Sequence, residues 1–248
     1  MPRQNLDILA ALREGAQKLR ARRGLFRMSR GWQVDPLTLP RGWRQLPLVS
    51  MNSSRIMTLL ESRLLDIWIG GLLEFQPLLD VPLERLGDQR QSMGQRLLCL
   101  PLFRFPLKLL AHQEHQLASS SPLSPDDLAR YPSPALPMGT APLLNQALQA
   151  HGLASCPYAG TDYDQERWEG VARDGHSLSY GPPQRLSEIG LRWQLQALPY
   201  DLGISDVAAV VGHRDVLSDP SFATAFQTLL AALRTSPLGS CSQIQWLL

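Results

Sequence analysis

Between Gln45 and Gly71 the chain changes its hydrophobic period twice, and few folds accept that order. Gln45-Leu-Pro-Leu-Val-Ser-Met51 is short, apolar and extended in character. Asn52-Ser53-Ser54 then opens a segment in which Ile56, Leu59, Leu60 and Leu64 recur at three- and four-residue steps. The spacing predicts a helix with one buried face, its first-turn amides capped by Asn52 or Ser53. Leu64-Leu-Asp-Ile-Trp-Ile-Gly-Gly71 is again apolar almost throughout, without alternation, as a central parallel strand covered on both faces would be. A short helical crossover between two strands predicts the beginning of an open α/β sheet.

A second apolar ribbon, Leu97 to Ala111, predicts a long strand that Pro101 and Pro106 bend. His112-Gln-Glu-His115, Leu123-Ser-Pro-Asp-Asp-Leu128 and Tyr131-Pro132 follow it. Pro137-Met-Gly139-Thr140 opens a helix over Leu143, Leu144, Ala147 and Leu148 that closes at Gly152, and Trp168 to Gly175 reads as another. Val207 to Val211 is a strand, and Ser218-Asp-Pro220 caps a helix with Phe222, Phe226, Leu229, Leu230 and Leu233 on one face. Residues 72–95, punctuated by Pro77, Pro82, Gly87 and Gly94 and charged from Asp80 to Arg90, read as a surface excursion. Residues 237–248 carry no pattern.

Ahead of the first sheet signal, residues 4–23 predict one helix with Leu9, Leu12, Ala16 and Leu19 along a narrow seam suited to pairing with a second helix. Arg20, Arg22 and Arg23 crowd its C-terminal end and Gly24 stops it. Leu25 to Ser29 then reads as a strand, and Gly31-Trp32-Gln33-Val34-Asp35-Pro36 as the loop leaving it. Residues 1–50 hold nine Arg and one Lys against Asp7, Glu14 and Asp35, an excess of +7 in a chain whose net charge is only +2. Such a quarter fits a segment lying near nucleic acid, but solvated helix faces are often this basic, and that is the reading preferred. Cys99, Cys156 and Cys241 are odd in number and far apart, as idle thiols in a reducing compartment are. No run approaches the roughly 20 apolar residues of a membrane span, and Asp7, Arg13 and Glu14 interrupt any secretory signal, so a soluble cytoplasmic protein is expected.

Ser53 to Leu60 followed by Leu65-Asp66-Ile67-Trp68-Ile69-Gly70 resembles the "S-x-x-L-x-x-x-L-x-x-x-x-L-D-x-x-I" segment in the effector-binding domain of LysR-type transcriptional regulators. The run from Leu97 through His115, Leu117-Ala118, Leu123 to Leu128 and Tyr131-Pro132 resembles that family's lobe-crossing strand, "H-P-L-A" turn, "L-x-D-L" helix start and "Y-P", with Gln116 in place of the proline. Val171-Ala172, Gly175 and Pro182 echo a later segment, although Arg173, His176 and Ser177 are more polar than the family pattern. The resemblance implies an α/β chain of two Rossmann-like lobes joined by two crossover strands, a periplasmic-binding-protein-like arrangement, preceded by a linker helix. It divides the chain into linker and dimerisation helix 4–23, regulatory lobe I 24–105 with 206–236, lobe II 106–205 and tail 237–248. Phe105, Pro106, Ser205 and Asp206 would be the hinge, and the seam of Leu9, Leu12, Ala16 and Leu19 would make a homodimer or homotetramer. Too little chain precedes Leu6 for the family's winged helix-turn-helix, so the expectation is a regulator lacking its DNA-binding head, with a stand-alone small-molecule-binding module as the alternative.

Ligands of open α/β sheets sit beyond the carboxyl ends of the strands, where helix N-termini present free amides. That places an effector at Gly31, Trp32, Gln33, Asn52, Ser53 and Ser54 of lobe I and at Pro137, Gly139 and Thr140 of lobe II. Those loops hold hydroxyl and amide side chains and no acidic residue except Asp35, with Arg30 and Arg104 as possible added charges. A small anionic metabolite is therefore expected. No cofactor, metal or enzymatic activity is: GxGxxG, GxxxxGK[ST] and GxSxG are absent, His112-x-x-His115 lacks a third ligand, Asp126-Asp127 reads as a helix start, and Asp162, Asp164 and Glu166 form no complete calcium loop.

Overall fold

The computed structural model describes residues 26–30, 43–45, 53–135, 142–153, 155–157, 174–181, 194–235, 239 and 241–248. In chain order they form β1 (Phe26–Arg30), β2 (Trp43–Gln45), α1 (Ser53–Glu61), β3 (Ile67–Gly71), β4 (Gln91–Met93), β5 (Leu97–His112), α2 (Pro125–Leu128), β6 (Ser133–Ala135), α3 (Pro142–Ala150), β7 (Ser155–Pro157), β8 (Ser179–Gly181), β9 (Leu195–His213), α4 (Arg214–Leu217), α5 (Pro220–Thr235) and β10 (Gln245–Trp246). The seam of Leu9, Leu12, Ala16 and Leu19 lies outside these residues.

β2, β1 and β3 are parallel neighbours in that order, so α1 carries the chain from β2 to β3 across β1. On its other side β3 pairs with β9 in the antiparallel sense. The strand is central, as its unbroken apolar run requires, but the sheet is mixed rather than parallel throughout. β9 continues to β5, and β5 carries β4, β8 and β10 as further antiparallel partners. β6 and β7 form a small parallel pair around α3.

Helix α1 buries Ile56 and Leu60 completely, whereas Leu64, expected on the same face, is 56% exposed. The helix stops at Glu61 and Arg63 adopts φ 57°. The amides of Leu64 and Leu65 both return to the Leu59 carbonyl at 3.0 Å, which turns the chain away before Leu64 reaches the core. A left-handed non-glycine residue costs roughly 1–2 kcal/mol. Here it places the Arg63 guanidinium on both oxygens of Asp215, at 2.8 and 3.2 Å.

The two long strands explain the two-lobed shape. From Leu97 to Phe103 every residue of β5 is buried, and so is every residue of β9 from Val207 to His213. Helix α5 covers one face there with Phe222, Phe226, Leu229, Leu230 and Leu233, while α1 and the segment after β3 cover the other. Beyond Phe103 burial alternates, with Phe105, Leu107 and Leu109 inward and Arg104, Pro106 and Lys108 half-exposed. The ladder loses its second cover between the lobes. Pro101 and Pro106 have no N–H to give, and the β5–β9 register shifts just after each of them.

Two stretches differ from expectation. Residues 72–95 are not a surface excursion: short 3-10 turns at Leu73–Leu78 and Leu83–Arg85 fold Leu72, Phe75, Leu83, Leu86 and Met93 against the sheet, each no more than 3% exposed. Prolines and charges hid a segment whose apolar residues follow neither period. The last residues form β10, which pairs with Phe103 and Arg104 and brings Trp246 edge-on to Phe103 with centroids 5.3 Å apart. No helix among the described residues is long and apolar enough to cross a membrane.

Candidate functional site

Because β1, β2 and β3 are parallel, their carboxyl ends share one edge of the sheet, and β3 ends there at Gly71 beside the crossing of β5 and β9. Ser53 and Ser54 begin α1, as expected. Gly31, Trp32, Gln33, Asn52, Pro137, Gly139 and Thr140 lie outside the described residues, the last of them two positions before α3. Of the residues expected as a hinge, Phe105 pairs with Asp206 and Pro106 with Ser205, immediately before a register shift.

Asp206 is the pivot of this edge. Its Oδ1 accepts from the amides of Leu73 at 2.8 Å and Val207 at 2.7 Å. Its Oδ2 lies so near Gly71 that a Cβ there would sit 1.9 Å away. Burial pushes the Asp206 carboxyl up to about 7, although the bonded amides favour ionisation, and the neighbouring Glu74 adds to the rise. The consequence for stability has a sign. Between about pH 4 and 7 the unfolded chain has released this proton while the folded chain keeps it, so stability falls as pH rises through that window. Asp206→Asn is expected to flatten this slope, leaving its stability relative to wild type higher at pH 7.5 than at pH 4.5 in urea titrations. A relative stability equal at both pH values would contradict the assignment.

Glu74, in the turn after β3, reaches across to α3. Its Oε1 accepts from the Leu144 amide at 2.9 Å and its Oε2 from the Leu143 amide at 3.2 Å. Burial raises its pKa, and these two amides work against the rise. The three predicted loops contain no such carboxylate, so Glu74 is the residue the sequence reading missed. No local pattern announces a contact made across 69 and 70 positions.

Other candidates resolve into structure. The Arg104 guanidinium bonds the Leu83 carbonyl at 2.8 Å and Gln245 Oε1 at 3.3 Å, which commits it to the folded segment and the tail rather than to a ligand. His115 is buried, accepts from the Leu117 amide at Nδ1 and therefore carries its proton at Nε2, 3.2 Å from the His176 carbonyl. Neither nitrogen is left for a metal, and no group of three potential ligands occurs among the described residues. Asp127 forms a capping box with Ser124 at α2, as expected of a helix start. Burial pushes the Cys99 thiol up to about 11, which leaves no thiolate at neutral pH.

No family model matches the sequence, and no curated protein matches it either. Solved structures do match the fold. The MetR regulatory domain from N. meningitidis, described as a LysR family regulator, is similar at 8% identity and TM-score 0.57, over 90% of this chain and 99% of that one. The CcmR regulatory domain of Synechocystis PCC6803 in complex with 2-PG is similar at 17% identity and TM-score 0.57, over 85% and 97%. The effector-binding domain of QuiR in complex with shikimate is similar at 12% identity and TM-score 0.54, over 83% and 95%. The chain therefore has the two-lobed fold of LysR-family regulatory domains.

Proposed function

We propose that this chain is the effector-sensing portion of a LysR-type transcriptional regulator, binding a small anionic metabolite between its lobes. The observation that carries the reading is the β5–β9 crossing. Two long antiparallel strands slip register at Pro106 and Ser205, while the carboxyl end of β3 leads into a turn whose Glu74 meets the first-turn amides of α3. Phe105, Pro106, Ser205 and Asp206 act as the hinge, and Gly31, Trp32, Gln33, Asn52, Ser53, Ser54, Pro137, Gly139 and Thr140 line the site. Similar domains described with shikimate and with 2-PG support a metabolite-sized ligand. Helix N-termini favour an anion by roughly half a positive charge each.

A thermal-shift screen of small carboxylates and phosphates, with cationic and neutral metabolites of similar size, tests the reading. At least one anion should raise Tm in a saturable way. A response confined to cations or neutral compounds would overturn the charge preference, and no response from any class would overturn the sensing role.

A further inference from the structure

The turn after β3 is held from two sides. Behind it, Asp206 takes the Leu73 amide at 2.8 Å. Ahead of it, Glu74 sets both carboxylate oxygens on the first-turn amides of α3, at 2.9 and 3.2 Å. A helix leaves its first amides unbonded internally, and α3 has no acidic residue in its first turn. The positive end of α3 is met instead by a carboxylate from the other side of the strand crossing. This N-terminus thus binds a carboxylate in the molecule as it stands. The seat is not a comfortable one, since burial works against the Glu74 charge, and Glu74 in turn adds to the rise of the neighbouring Asp206.

We propose that Glu74 is an internal latch between the lobes, an anion of the chain's own that occupies the α3 N-terminus and that an anionic effector must displace to use those amides. The displacement half rests on the effector site proposed above, whereas the latch itself does not. Its action is simple. While Glu74 is seated, the turn, the crossing strand and α3 move as one piece; once it is displaced, α3 is tied to the effector instead.

Amide hydrogen exchange by NMR on the full chain, with no ligand added, reads the latch. In Glu74→Ala the Leu143 and Leu144 amides should both exchange about tenfold faster or more, and in Glu74→Gln, which keeps one acceptor oxygen, at least one of them should, the amides of Leu100 and Val210 remaining as in wild type. Inorganic sulfate, as the probe anion, should restore protection at Leu143 and Leu144 in Glu74→Ala at a concentration at least about tenfold below that needed to perturb them in wild type. Unchanged exchange at both amides in both variants would overturn the latch. Faster exchange with sulfate no more effective than in wild type would overturn the displacement. A metabolite screen without a hit, beside the expected exchange result, would count against the effector reading and leave the latch standing.

Discussion

Phe103→Ala is expected to remove about 3–5 kcal/mol of folding stability, the range for emptying a fully buried aromatic site. Phe103 is completely buried at the end of the first run of β5 in which both faces are covered. Its ring meets Phe105 at 6.0 Å and Trp246 at 5.3 Å between centroids, so the cavity opens to the core on one side and the C-terminal strand on the other. Loss of the ring should therefore also loosen β10, whose attachment includes the Leu247 amide on the Leu102 carbonyl at 3.0 Å. Urea denaturation measures the first effect and exchange of the Leu247 amide the second. A cost below about 1.5 kcal/mol, with Leu247 still protected, would show that the tail is held without this contact.

Gly71→Ala should cost about 2–4 kcal/mol, although it adds only one methyl group. The new Cβ would lie 1.9 Å from Asp206 Oδ2 and 2.8 Å from its Cγ, far inside contact distance. A carboxylate at the end of a free side chain would swing away at little cost. This one is fixed by the Leu73 and Val207 amides, so relief means overpacking strain of roughly 1–3 kcal/mol or buried amides left unpaired at a similar cost each. The cause is specific enough for a double-mutant cycle. In an Asp206→Ala background the same substitution should cost about 1 kcal/mol less or better, and strict additivity would mean that some other neighbour of Gly71 carries the clash.

Much of this fold was legible in the sequence, for identifiable reasons. The five apolar residues of α5 follow a helical period, and all five are buried. The Leu97 to Ala111 ribbon is one strand because its residues face two covered sides, then one from Arg104 to Lys108, then two again. Where the pattern is not local, reading failed. Leu64 kept the helical spacing of α1, but the left-handed turn at Arg63 depends on Asp215, 152 positions away. Residues 72–93 bury apolar side chains through single turns that have no period. β10 is two residues long and shows itself only by what it pairs with. At the candidate site the same division holds. Ser53 and Ser54 are visible as the start of α1, and the register shifts after Pro101 and Pro106 are visible as prolines in an apolar ribbon. Glu74 is not, because a side chain that caps a helix from another part of the chain leaves no mark near that helix.

The proposed effector is a small anion bound between the lobes at the N-termini of α1 and α3. Calorimetric titration of the metabolite that most raises Tm, against wild type, Ser53→Ala and Thr140→Ala, tests it most directly. One site per chain is expected, with affinity about ten- to a hundredfold weaker in each variant, the effect of losing a charge-assisted hydrogen bond of roughly 1.5–3 kcal/mol. Affinity unchanged in both variants, or heat that never saturates at one ligand per chain, would contradict it.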